Sequence, residues 1–446
     1  MNFKEFYYRH IRIAEVILYI YTVECVLGCS GRWASFGPVS IRMILFTIAF
    51  LAAAPAVIYE RKRLLQSPPV LLMLLFFAFL AMGLVFGLQN GNDRLFIRMD
   101  LTCFLGLALL PGSLAVIRDE TGMKRLLNVV YWSSVILALI TAVLHYMVAF
   151  AGLYNAVKIN FMLILPRQMG ALGLYDSGVL RIYLKSQVFL QFAFLIGLKK
   201  AIGASKKKRI LFAVCEGLIL FAVVLSFTRG FWLGLGASLV LIFALEWKER
   251  KEMFRIGLAA ALCFLVLIGF STAVFGDFTL VGEIAKRFDP NLVVLSDKDK
   301  IDVEYFYKEF GINAEENIDA IRIRKESLKM LKERISEKPL QGHGLGSNLD
   351  GIREDGRAEY MYLDIFMKMG IGGLLSFVCL CLWAPAAYLF RRIRKESLPR
   401  SAAFIMAGML GLCLTSVFNP YLSTPMGLVM LSIACAAVQQ KKTEAV

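Results

Sequence analysis

The chain has 446 residues, of which 58% are hydrophobic and only 19% charged, with a mean hydropathy of +0.64. Apolar runs of about 20 residues, long enough to cross a hydrocarbon core, recur from end to end, which excludes a string of soluble domains and a disordered chain. The formal net charge of +16 would suit nucleic acid if it were clustered, but the lysines and arginines punctuate the apolar runs, so they mark topology and no nucleic-acid partner is expected.

The amino terminus, "MNFKEFYYRH", is polar and mildly basic and leads into a full-length apolar run with no small-residue cleavage site. It reads as a retained first span. Charges and turn formers then bound further apolar runs, predicting about twelve transmembrane helices. Their ranges are 12–30, 39–59, 68–88, 95–117, 126–153, 180–198, 210–227, 229–246, 256–276, 359–390, 401–419 and 421–438. The expected architecture is an all-α polytopic membrane protein, 1–446 forming one integral membrane domain. The nine cysteines (Cys25, Cys29, Cys103, Cys215, Cys263, Cys379, Cys381, Cys413 and Cys435) all lie in apolar runs and read as small core residues.

Alternate loops collect the positive charge: "ERKR", "RDETGMKR", "KKAIGASKKKR", "WKERKEMFR" and "RRIRKESLPR". With the termini this makes roughly 25 Lys and Arg on one side against roughly five in the short loops opposite, so both termini are expected in the cytoplasm. The loops at 154–180 and 277–358 then face the extracytoplasmic side. The second, between spans nine and ten, is the large polar segment. It contains "NIDAIRIRKESLKMLKERISEK", with Ile321, Leu328, Leu331 and Ile335 on one helical face, and breaks at Pro339 and "GHGLGS". An amphipathic helix on the membrane surface or across a cavity mouth is expected.

Placed on these spans, Glu24, Arg42, Arg98, Asp100, Arg181, Lys185, Arg229, Glu359, Asp364 and Lys368 all fall in the outer half. Such a charge costs about 2.5–3.5 kcal/mol on insertion scales and usually faces a bundle interior or a wet cavity, or snorkels to the lipid headgroups. A transporter would concentrate charge at the midplane. Only Glu216 and His145 lie near it, and each reads as a locally hydrogen-bonded core residue. The pattern points to a cavity open to the outer face and lined mainly by arginine. Because arginine forks match phosphate oxygens, the expected ligand is a phosphate or diphosphate on a lipid-linked substrate. Asp364 and Lys368 stand i,i+4 on one helix and can pair with each other. The run "DKDK", Asp297 to Lys300, resembles a metal-binding D-x-D but sits among lysines, and no metal site or cofactor is expected.

Three motifs carry a family resemblance. "LSFTRGFWLGLGASL" resembles the S-x-T/S-R-G/S signature of the O-antigen ligase and O-antigen polymerase superfamily of bacterial envelope glycosyltransferases. "RIRKESLKMLKERISEKPLQGHGLGSN" resembles its arginine-led loop helix followed by P-L-x-G-x-G-x-G-S, and "EYMYLDIFMKMGIGGLL" its H-N-x-Y-L element. They occur in family order and cover roughly 180–375. The resemblance implies a GT-C-like enzyme of the inner membrane that takes an undecaprenyl-diphosphate-linked glycan as donor, with no metal or nucleotide. An acceptor hydroxyl attacks the anomeric carbon and the lipid diphosphate leaves.

By the same resemblance, Arg229 binds the diphosphate and stabilises the charge that grows on it. Arg181, with Lys185 one turn on, matches another functional arginine, and Arg322 or Arg324 corresponds to the leading arginine of the loop helix. Gly342, Gly344 and Gly346 suit a loop closing over glycan or diphosphate. Glu359 stands where the ligase pattern has its histidine. It is a candidate acceptor for the proton of an attacking sugar hydroxyl, with His343 as the other. The departure favours a polymerase, which extends a lipid-linked glycan, over a ligase, which delivers it to lipid A core or a protein. A non-enzymatic carrier or flippase of the same lipid is the reading from another class.

Overall fold

The computed structural model describes residues 3–29, 31–37, 39–164, 169–175, 179–275, 279–288, 317–349 and 358–440. Among these, α1 (Phe3–Leu27) leads through a two-residue hairpin, β1 (Ser35–Phe36) and β2 (Val39–Ser40), into α2 (Ile41–Tyr59), α3 (Arg61–Leu65), α4 (Pro68–Gln89), α5 (Arg94–Phe104), α6 (Leu110–Val116) and the long α7 (Glu120–Ile164). A second hairpin, β3 (Gly170–Leu174) and β4 (Leu180–Leu184), precedes α8 (Val188–Ala201), α9 (Lys206–Leu225), α10 (Arg229–Leu245), α11 (Arg250–Phe275) and α12 (Thr279–Lys286). Then come α13 (Asn317–Glu337), α14 (Met361–Ile393), α15 (Arg400–Phe418) and α16 (Pro425–Gln439).

The structure is mostly helical, as the apolar runs require. Seven helical stretches among the described residues are long and apolar enough to cross a membrane: Ile41–Tyr59, Pro68–Gln89, Arg94–Val116, Glu120–Met147, Trp247–Val274, Met361–Ile393 and Arg400–Phe418. Arg229–Leu245 and Pro425–Gln439 are apolar but shorter. The predicted sixth span differs at its start. Residues 180–184 are a strand paired antiparallel with 170–174, Arg181 opposite Gly173, and helix begins only at Val188. "LRIYL" alternates, with Ile182 and Leu184 buried and Arg181 and Tyr183 half-exposed, so the period is that of a strand.

The chain divides into two compact units. The first comprises Met1–Tyr21, Leu45–Leu126 and Ile318–Val446. Its α4 starts on Pro68 and Pro69, where missing N–H groups cost nothing, and buries Val70, Met73, Phe76, Leu80, Gly83 and Gly87 along one helical stripe. That stripe packs against α14. Phe76, Phe104 and Phe377 form an aromatic knot with centroids 5.0, 5.1 and 5.7 Å apart. The apolar face of α13 is covered by protein: Leu331, with Met330 and Ile335, packs on Leu349, Ala358 and Met367. A helix spans Asn317–Glu337 where one was predicted, and Leu331 and Ile335 of its predicted apolar face pack on its own unit.

The second unit comprises Thr22–Ile44 and Leu127–Asn317. Its α8, "VFLQFAFLIGL", is hydrophobic all round and is buried from Val188 to Leu198, as a central helix must be. Phe221, Leu225 and Phe227 join Ala142, Tyr175, Val179, Ile268 and Leu280 in a core beside the second hairpin.

Candidate functional site

In the second unit the motif "SFTRGFW" forms the turn between α9 and α10. Ser226 folds its hydroxyl back onto the Val223 carbonyl (2.7 Å) and accepts a bond from the Thr228 N–H (3.2 Å). Phe227 takes a left-handed conformation, φ +49°, which a bulky residue adopts only when its surroundings hold it there. Its ring is buried in the core just described. Trp232 donates its indole N–H to the Val223 carbonyl (3.2 Å) and stacks on Phe288 (5.5 Å), fixing α10 against the end of α9. Arg229 is thus the first residue of a 17-residue helix, the end at which the helix dipole favours an anion.

Two further arginines meet this turn. Arg181 donates its Nε–H to the Ser226 carbonyl at 2.9 Å. The Arg287 guanidinium lies over the rings of Tyr175 and Phe227, 5.1 and 5.5 Å from their centroids. Three guanidinium-bearing residues are thereby brought to Ser226–Arg229. Arg287 escaped the sequence reading because it lies at the head of a polar loop where charge is unremarked. Lys185 is not on a helix with Arg181: it begins a short 3-10 turn after β4 and is exposed.

Other charges in this unit are committed to partners. Arg42 and Glu24 form a buried pair, Nε to Oε2 at 2.7 Å, and Arg42 also donates to the Cys29 carbonyl at 2.7 Å. Arg42 therefore does not contribute to an arginine-lined cavity. Glu216, fully buried, accepts from the Tyr131 hydroxyl (3.0 Å), and His145 meets the Ser271 hydroxyl (3.0 Å). Both are locally bonded core residues, as read from the sequence.

In the first unit, Glu359 lies two residues before α14 and forms an ion pair with Arg324 of α13. Arg322 is exposed, so the structure separates the two candidate arginines and gives the carboxylate to Arg324. Asp100 and Asp364 each contact Lys368 Nζ at 2.9 Å, and Asp100 also accepts the Gly346 N–H at 2.8 Å. This buried cluster ties α5, α14 and the glycine loop together. Arg98, two residues before Asp100 and so on the other side of α5, is exposed.

The glycine loop is a wall rather than a flap. Gly370, φ +67°, interrupts α14 and releases two of its carbonyls, which the loop takes up: His343 N–H bonds Met367 O (2.8 Å) and Gly344 N–H bonds Lys368 O (3.0 Å). In return Pro339 O accepts the Ile371 N–H (2.9 Å), and Gly83 O of α4 accepts the Leu345 N–H (2.8 Å). Gly344 has φ +84°, and a Cβ there would lie 2.2 Å from the Gly87 nitrogen. Gly342 and Gly346 share the positive φ, at 73° and 77°. The spacing read as suited to closing over a ligand is required for packing between α4 and α14.

His343 is buried, with Nε2 2.7 Å from the Arg334 carbonyl. Bonded to a carbonyl, Nε2 carries the proton in the neutral ring and holds the end of α13, which leaves Nδ1 as the acceptor nitrogen. Asn90 and Asn92 donate to the His343 carbonyl at 2.9 and 3.1 Å, and Asn92 to that of Leu345 at 2.8 Å. Beside them is a cavity of about 470 Å³. Among the described residues no group of three His, Cys, Asp or Glu side chains could hold a metal ion. The "DKDK" run lies outside the described residues.

Residues 217–378 match the family described as O-Antigen ligase. The match bears out the resemblance to the O-antigen ligase and polymerase superfamily, and with it a membrane enzyme of that general kind. It takes in Arg229, Arg287, Arg324, the glycine loop and Glu359, and begins after Arg181 and Lys185. No curated protein gives a significant match.

Proposed function

We propose that the chain, as a member of the O-antigen ligase and polymerase superfamily, is a membrane glycosyltransferase that uses an undecaprenyl-diphosphate-linked glycan at the outer face of the inner membrane. The observation that carries this reading is the gathering of Arg181, Arg229 and Arg287 at one turn that opens a helix. Guanidinium groups and the positive end of a helix dipole both suit a diphosphate, and both gain strength as charge grows on the leaving group.

The reaction joins an acceptor hydroxyl oxygen to the anomeric carbon as the bond from that carbon to the diphosphate oxygen breaks. The hydroxyl proton passes to Glu359, and the electron pair leaves with the lipid diphosphate. Glu359 is preferred to His343 because it stands where the family pattern has its histidine. Arg324 orients the carboxylate by a charge-assisted bond.

A carboxylate in place of the ligase histidine favours a polymerase, with a second lipid-linked glycan as acceptor. The ligase reading, with lipid A core or a protein as acceptor, is favoured by the description of the matched family. Two measurements test the proposal. In cells lacking the protein, single repeats on undecaprenyl diphosphate indicate a polymerase and long chains indicate a ligase. With purified protein in detergent, Arg229→Ala should abolish glycosidic bond formation while the protein remains folded and inserted. Full activity in that variant sinks the assignment, and a wild-type protein that binds the lipid but forms no bond is a carrier.

A further inference from the structure

The 470 Å³ cavity of the first unit is lined by Asn90, Asn92, Asp93, Arg334, Lys338 and Ser347, together with Phe96, His343, Gly346 and Asn348. Its size lies within the range of small-molecule sites, about 300–1,000 Å³. Among the described residues, Ser347 Oγ is buried there without a hydrogen-bond partner. A buried hydroxyl left unpaired costs free energy, and native proteins rarely carry one unless a water or ligand completes it. The amide nitrogens of Asn90 and Asn92 are occupied by the glycine loop, so their amide oxygens are the acceptors they can offer the cavity.

We propose that this cavity binds a saccharide unit of the glycan, with Ser347 and Lys338 as its principal contacts. The inference rests on the transferase reading for the source of the sugar. The chemistry of the lining selects a hydroxyl-rich ligand. The amide oxygens of Asn90 and Asn92 accept, the Lys338 ammonium donates and the Ser347 hydroxyl does both, which together match sugar hydroxyls that donate and accept. Two cations, Arg334 and Lys338, face one carboxylate, Asp93, so the lining tolerates a neutral or singly acidic sugar and is poorly suited to a diphosphate. Phe96 supplies apolar surface for the C–H side of a pyranose. Because the loop wall is fixed by backbone bonds to α4 and α14, the cavity exists before the ligand arrives.

The test uses full-length protein purified in detergent and, as probe, the oligosaccharide released by mild acid from the lipid-linked glycan of the producing cells. Saturation-transfer NMR should show binding to the wild type, undisturbed by inorganic pyrophosphate. Ser347→Ala and Lys338→Met should each weaken it about tenfold, the loss of one hydrogen bond to the ligand. Ser347→Phe, which fills the space, should abolish it. Ser347→Ala should meanwhile leave the ligand-free thermal midpoint unchanged or raised, since it removes an unsatisfied hydroxyl. Absence of binding to the wild type overturns the proposal. So does displacement by pyrophosphate, or equal binding by Ser347→Ala and Lys338→Met. Saccharide bound as expected with no glycosyl transfer in the same preparation would keep this inference and reject the transferase reading. Transfer that is indifferent to all three variants would do the reverse.

Discussion

Glu359→Gln separates chemistry from structure at the proposed base. The substitution keeps size and hydrogen-bonding capacity and removes the charge. Its structural cost is bounded by the exposure of the pair: the Arg324 side chain is 41% exposed and that of Glu359 19%. A partly exposed ion pair is worth about 0.2–1 kcal/mol, so the thermal midpoint should fall only slightly. A general base contributes roughly 10²–10⁴ in rate, or about 3–5 kcal/mol in the barrier. The two roles therefore differ by more than the uncertainty in either. The assay is single-turnover transfer of labelled lipid-linked glycan by purified protein, with thermal unfolding followed in parallel.

If Glu359 takes the proton, Glu359→Gln loses at least a hundredfold in turnover at nearly constant stability. Arg324→Gln, which removes only the orienting partner, loses less. The double variant should then be no worse than Glu359→Gln alone, because the orienting bond has nothing left to orient. Turnover within threefold of wild type in Glu359→Gln would refute the assignment and leave Glu359 as an anchor for α13.

Three other substitutions follow from the geometry. Lys368→Met leaves buried Asp100 and half-buried Asp364 without their cation and should cost about 3–5 kcal/mol, read as a lowered thermal midpoint that Asp100→Asn partly restores. Gly370→Ala places a methyl group 2.1 Å from the Leu340 carbonyl at φ +67°, so it should destabilise by more than the roughly 1–3 kcal/mol of backbone strain. Gly236→Ala, with no neighbour within 4 Å, should be neutral or stabilising in the same assay. Arg287→Lys keeps the charge but not the planar face over Tyr175 and Phe227, and should reduce turnover roughly 3- to 30-fold, the worth of a partly desolvated cation–π contact; wild-type turnover would limit Arg287 to a charge.

What the sequence made legible follows the range of the physics involved. The apolar runs at 39–59, 68–88 and 401–419 announced their helices because hydropathy over one span is a local property. The strand at 180–184 was hidden because it is continuous in sequence with the apolar "VFLQFAFLIGL", and hydropathy alone does not separate a strand from the helix it feeds. The motif around Arg229 was readable, since serine, phenylalanine, tryptophan and glycine act within ten residues of one turn. Pairings across the fold were not. Nothing near Asp100 names Lys368, and nothing near Arg322 and Arg324 says which reaches Glu359, since both face outward on a charged helix. Arg287 became a candidate only when its ring partners came from two other segments.

The glycines carry the largest change of meaning between sequence and structure, and it bears on selectivity. As a mobile flap, "GHGLGS" would discriminate substrates by how well it closes over them. As a wall bonded to Gly83, Met367 and Lys368, with Gly344 pressed on Gly87, it has no space in which to move without breaking those bonds. Selection in the first unit must then come from the side chains that line the cavity. The Ser347 hydroxyl and the Lys338 side chain take no part in the backbone bonds that hold the wall. The backbone that positions them needs glycine at fixed places and a broken helix at Gly370. Under the proposed reading, substitutions at Ser347 and Lys338 should change which saccharide binds while leaving the backbone wall intact, and an altered thermal midpoint in Ser347→Thr would refute that separation.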